Sequence, residues 1–104
     1  MPSRRRSTSA TELIERVRAR VLDGPGVLDA TVRRAACSDD DVPPEAAAYV
    51  EKVRLHAYKV TDGDVDALKA AGWSDDMIFE LTVATAMGAA LRRRAIALNA
   101  MENA

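Results

Sequence analysis

The sequence holds one cysteine and one histidine, and only four of its residues are aromatic. A lone Cys37 rules out an intrachain disulfide, a CxxC pair and a thiolate zinc site. A lone His56 with no second imidazole leaves no clear ligand set, so no metal and no cofactor are expected. With Tyr49, Tyr58, Trp73 and Phe79 as the whole aromatic complement, Ala, Val and Leu must supply most of the core. Side chains that small let helices approach closely, yet one short chain buries little area with them, and burial in a homo-oligomer is therefore expected. Long apolar runs are missing too. The longest charge-free stretch, Leu81 to Leu91, falls well short of the roughly 20 residues of a membrane span. No apolar run follows the basic start Met1-Pro-Ser-Arg-Arg-Arg, so no signal peptide is read there, and a reducing cytoplasm is the expected compartment.

What is present fits one ordinary globular domain: 104 residues, 48% apolar and 30% charged. The net charge of −1 conceals a segregation, with +4 over residues 1–34, −7 over 35–80 and +2 over 81–104. A DNA-binding domain carries a dominant basic face and a positive total. This chain has neither, and nucleic acid is not an expected partner. A mosaic of solvated helix faces is the simplest reading of the charge blocks, with contacts between subunits as the alternative.

Helical spacing runs through the whole chain, and the sequence predicts an all-α bundle of about five helices. The predicted organisation is a flexible basic tail over 1–8 and a single helical domain over 9–104. Ser9 followed by Glu12 forms a capping-box pattern, and Leu13, Val17 and Val21 then mark one face. Gly24-Pro25-Gly26 ends that helix. A second, short helix is expected over 27–36 with Leu28, Val32 and Ala35 inward, broken by Ser38-Asp39-Asp40-Asp41. Pro43-Pro44 suits the first turn of a third helix, with Glu45 near its positive end. Ala46, Val50, Val53, Ala57 and Val60 follow its period. Thr61 to Asp64 opens a fourth helix with Val65 and Leu68 inside, and Gly72 stops it. Ser74 caps a long last helix reaching about Asn99, striped by Met77, Leu81, Ala84, Met87, Leu91, Ala95 and Leu98. Its uncharged middle predicts burial on all sides, partly by partner subunits.

Two strings carry a resemblance. They are Tyr49-Val-Glu-Lys-Val-Arg-Leu-His-Ala-Tyr-Lys-Val60 and Asp64-Val-Asp-Ala-Leu-Lys-Ala-Ala-Gly-Trp-Ser-Asp-Asp-Met-Ile-Phe-Glu-Leu81. The Ala-Ala-Gly turn, then an aromatic, Ser and two acids leading into an Ala/Gly-rich helix, resembles the carboxymuconolactone decarboxylase and alkylhydroperoxidase D-like superfamily over about residues 43–91. In the peroxidase branch the resemblance implies a relay of Glu, CxxC and His. Aligned on the turn, the two cysteines fall at Ala57 and Val60, the His at Asp64 and the Glu at about Glu45. Neither Ala nor Val forms a thiolate or a disulfide, so CxxC-dependent peroxidase activity is not expected. The decarboxylase branch does without cysteines, and lactone or acid chemistry therefore stays open.

The candidate catalytic residues are accordingly His56, Tyr58, Glu45 and Glu51. His56 can act as a general acid or base near neutral pH, against the plainer reading of a partly exposed structural histidine. Tyr58 is its neighbour in sequence but points about 100° away on a helix, and packing is the plainer role. Glu45 doubles as a helix-start acid. Cys37 reads as a small apolar filler rather than a nucleophile. Arg4-Arg5-Arg6 and Arg92-Arg93-Arg94 read as solvated faces, with an anionic ligand as the alternative. Lys52, Arg54 and Lys59 read as surface partners of Glu51 and the acids near Asp62.

Three functions follow in order. The first is a redox-inactive, oligomeric binding, scaffold or accessory subunit, with a protein or a small molecule as partner. The second is a cysteine-independent, decarboxylase-like acid–base enzyme on a small carboxylic or lactone substrate. The last is a helix-turn-helix nucleic-acid binder over 64–81, disfavoured by the acidic entry Ser74-Asp75-Asp76.

Overall fold

A computed structural model describes residues 2–103 and holds five α-helices: α1 (Pro2–Asp23), α2 (Ala30–Cys37), α3 (Pro44–His56), α4 (Asp62–Ala70) and α5 (Asp75–Glu102). A separate 3-10 turn over Ala57–Lys59 follows α3. No strand occurs among the described residues, so the fold is all-α as the periodicity predicts. Among those residues no helix is long and apolar enough to cross a membrane.

The connections obey their local chemistry. Thr61 and Asp64 form a full capping box at α4, each side chain accepting from the other's backbone N–H. Gly72 stops α4 at φ +100°. There the Trp73 amide bonds back to the Leu68 carbonyl at 3.0 Å and the Gly72 amide to that of Lys69 at 3.0 Å. That is the Schellman closure, completed by burial of both Leu68 and Trp73. Asp39 plays the same part after α2, at φ 62°, with the Asp40 amide on the Ala35 carbonyl at 2.9 Å. Aspartate tolerates this left-handed conformation at a cost of about 1 kcal/mol. Its carboxylate is paired with the Arg54 guanidinium on α3.

Helix α3 ends at His56, short of the Val60 that its stripe predicted, where His56 leaves helical geometry at φ −147° and ψ 56°, and two helix starts also move from their expected places. Helix α1 starts at Pro2 rather than Ser9, because the Pro-Ser-Arg-Arg-Arg-Ser-Thr stretch contains nothing that breaks a helix once proline has passed the first turn. Helix α2 starts three residues late, with Asp29 capping the Thr31 amide. The reason lies 50 residues away. The Glu80 carboxylate on α5 accepts the Val27 amide at 3.0 Å and the Leu28 amide at 3.2 Å, holding that stretch in a bend outside the helix. A Cβ on Gly26 would lie 3.0 Å from the Glu80 carboxyl carbon and closer to an oxygen, so the clasp needs glycine there. Glu80→Gln is expected to cost about 1–2 kcal/mol in chemical denaturation, since one of two charge-assisted bonds is lost.

One core gathers residues from every helix: Leu22, Ala36, Cys37, Ala46, Tyr49, Val50, Val53, Leu68, Ile78, Leu81 and Ala84, with Leu28 and Trp73 from connections. Cys37 is buried and free, the filler expected of it. The Tyr49 hydroxyl reaches Thr82 Oγ1 at 2.7 Å while that hydroxyl bonds the Ile78 carbonyl at 2.7 Å. Thr82 has one proton to give, so Tyr49 is the donor. The inward face of α2 is rotated from the expected one. Arg33, Ala36 and Cys37 are buried, whereas Val32 and Ala35 are half-buried. The middle of α5 is also not enclosed on every side in the single chain, because Ala86 and Ala90 are exposed.

Helices α1 and α5 run antiparallel. Val21 sits by Phe79, Glu80 and Val83, and Leu13, Ile14 and Val17 sit by Met87 and Leu91. Both extend past the rest of the bundle, giving extents of 54 × 32 × 21 Å and a radius of gyration of 15.8 Å, against about 13 Å for a compact chain of this length.

Candidate functional site

The four residues singled out from sequence are spread along and just beyond α3. Glu45 lies exposed in its first turn. His56 ends the helix, eleven residues or roughly 16 Å further on, and is also exposed. Tyr58, on the following 3-10 turn, is 81% exposed rather than packed. Its ring meets the His56 ring edge-on with centroids 6.0 Å apart, and the Lys59 ammonium lies 5.9 Å from its centroid. The structure therefore brings His56 and Tyr58 together, in solvent. Glu51 sits apart from them, on the wall of an open hollow of about 390 Å³ lined also by Asp39, Asp40, Asp41, Arg54 and Leu55. All four are exposed in the single chain.

The residues at the positions that the resemblance aligns with a redox relay occupy ordinary structural places. Ala57 is exposed on the 3-10 turn and Val60 packs against the core. Asp64 accepts the Lys52 ammonium with both oxygens, at 2.8 and 3.0 Å, and also the Thr61 amide at 2.9 Å. The Lys52 hydrogen bond, followed by that of the Thr61 backbone, holds its carboxyl below the ordinary aspartate value of 3.8. A carboxylate so engaged is a cap and a partner for Lys52, with little capacity left to take a proton. The stabilisation is present above that ordinary value and is lost as pH falls through the lower folded value. Asp29, lowered by the Thr31 backbone hydrogen bond, acts in the same direction. Stability is thus expected to fall below about pH 4, and Asp64→Asn to flatten that fall when melting temperature is followed against pH.

A second region went unforeseen. Between α1 and α5 an apolar hollow of about 260 Å³ is lined by Leu13, Ile14, Val17, Met87 and Leu91. Leu91 also belongs to the neighbouring pocket of about 270 Å³, with Arg18, Cys37, Ser38, Gly88, Arg92 and Ala95. Gly88 creates this junction: a Cβ there would stand 2.7 Å from the Cys37 carbonyl carbon and 2.8 Å from its Cα, so only glycine lets the end of α2 touch α5. Arg92 Nη1 then donates to the Cys37 carbonyl at 2.7 Å, where the C-terminal end of α2 favours a cation. Arg92 is half-buried, not part of a solvated triplet. Arg93, exposed, donates to the Arg54 carbonyl at 3.2 Å. The available signal was the glycine inside a helix otherwise built of good formers, which points to close approach.

Beyond these junctions α1 and α5 leave apolar side chains uncovered. Leu13 is 55% exposed, Val17 49%, Ile96 70% and Met101 72%. Among the described residues no group of His, Cys, Asp and Glu is placed to hold a metal ion. No family model, no curated protein and no solved structure matches the chain.

Proposed function

We propose that this chain is a self-associating helical binding or accessory subunit, a redox-inactive relative of the carboxymuconolactone decarboxylase-like proteins, and that a second copy covers the outer ends of α1 and α5. One observation carries the reading. The apolar stripe of α5 continues past Leu91, where Leu13 and Val17 of the antiparallel α1 stand half-exposed, through Leu98 to Met101. Burying a Leu or Met side chain contributes about 1.5–3 kcal/mol, and this face leaves several such side chains in water. The family part of the proposal rests on the Pro43 to Leu91 residues alone. With alanine and valine at the relay's cysteine positions, it calls for binding rather than peroxide turnover.

Sedimentation of the wild-type chain and of Leu98→Asp/Met101→Asp tests it. A wild-type oligomer that falls to monomer in the double variant, with unchanged helical circular dichroism, is the expected result. A monomeric wild type, or an oligomer indifferent to the two charges, defeats the proposal. The acid–base alternative would need peroxide-independent turnover of a small carboxylic or lactone substrate that disappears in His56→Ala.

A further inference from the structure

The pocket at the junction of α1, α2 and α5 is walled by an arginine with one donor left unpaired. Arg92 uses Nη1 on the Cys37 carbonyl, but its Nη2 is buried without a hydrogen-bond partner. A buried donor left unmade costs about 1–3 kcal/mol, more when the group is charged, and such groups call for an acceptor from outside. Arg18 brings a second guanidinium from α1, and Ser38 a hydroxyl. None of the seven lining residues is acidic, so the lining holds two arginines and no carboxylate. The contrast with Arg54 is instructive. Its Nε is also buried and unpaired, yet Asp39 already meets its charge, and Asp40, Asp41 and Glu51 line the same hollow.

We infer that this pocket binds a small organic monocarboxylate, its carboxylate between Arg92 and Arg18 and its short hydrocarbon part on Leu91 and Ala95. Guanidinium and carboxylate match in shape, each offering two parallel positions. Phosphate suits the site less well, because phosphate sites are built from backbone N–H groups and helix N-termini. Here the backbone presents the Cys37 carbonyl and the negative end of α2, which oppose a dianion more strongly than the single charge of a carboxylate. At about 270 Å³ the cavity lies below the usual range for drug-sized ligands, about 300–1,000 Å³. The pocket is complete within one chain and does not depend on self-association.

Titrating the ¹⁵N-labelled chain with butanoate, 1-butanol and inorganic phosphate, at a concentration where sedimentation finds one species, tests this. Butanoate is expected to shift the Ser38 and Gly88 amides saturably, with 1-butanol inert and phosphate weaker. Arg18→Ala removes an exposed side chain and is expected to weaken butanoate about tenfold, the loss of one charge-assisted contact. Ala95→Glu, which sets an acid on the wall, is expected to abolish binding. Arg92→Gln should do the same, and where it unfolds the chain the other two variants decide. Absence of saturable shifts, equal shifts with 1-butanol, phosphate binding as tightly as butanoate, or an Arg18→Ala titration like wild type would each overturn the assignment.

Discussion

Replacing Gly88 with alanine is expected to destabilise the chain by about 3 kcal/mol and to lower its melting temperature by roughly 12–24 °C for a domain of this size. Propensity alone predicts the opposite. Alanine within a helix is about 1 kcal/mol better than glycine, so the sign of the change tests the geometry. A methyl group at this position would run into the backbone of Cys37, at 2.7 Å from its carbonyl carbon. Backbone cannot rotate aside as a flexible side chain does, so α2 would have to lift from α5. Leu81 and Ala84, fully buried on the same helix, would lose packing with it. Differential scanning calorimetry of the two chains checks this. An alanine variant that melts at or above the wild type would show that α2 does not approach α5 so closely.

The same residue shows how far the sequence could be read. Helix number, the Ser74 and Thr61 caps and the Gly72 stop were legible because each depends on residues within a few positions of each other. Trp73 and Leu68 closed the α4 stop as the local pattern required. Illegible were the effects of distant partners. Glu80 holds the Val27 and Leu28 amides and so delays α2, and nothing near residue 27 announces it. Arg92, read within a triplet of solvated arginines, turned inward because a carbonyl 55 residues earlier awaited it. The candidate site divided in the same way. His56 and Tyr58 are neighbours as their sequence positions allow, but exposure is set by what other elements cover, and nothing in the single chain covers them. The pocket with the unpaired donor lies instead where three helices meet, with contributions from residues 18, 37 and 92.

Arg33→Met is expected to cost about 3 kcal/mol, although it keeps much of the side-chain volume and removes a buried charge. Arg33 is only 5% exposed, and although Glu80 lines the same hollow, the hydrogen bonds of Arg33 go to backbone. Its Nε donates to the Leu28 carbonyl at 3.1 Å and its Nη1 to the Val21 carbonyl at 2.9 Å. The second bond has a cause in the sequence. In a continuing helix the Val21 carbonyl would accept from the amide four residues later, and that residue is Pro25, which has none. Proline thus ends α1 and leaves an orphan acceptor at its negative end, where a guanidinium is electrostatically favoured. Replacing a buried ion pair with apolar groups is often neutral because both charges leave together. Here the acceptors are backbone and stay behind, each costing about 1–3 kcal/mol when unsatisfied. Urea denaturation of Arg33→Met beside Arg33→Lys separates the alternatives. Lysine keeps the charge but lacks the fork that spans both carbonyls, so it should recover only part of the loss. A methionine variant within about 0.5 kcal/mol of wild type would mean that water satisfies the two carbonyls and that Arg33 is no staple between α1 and α2.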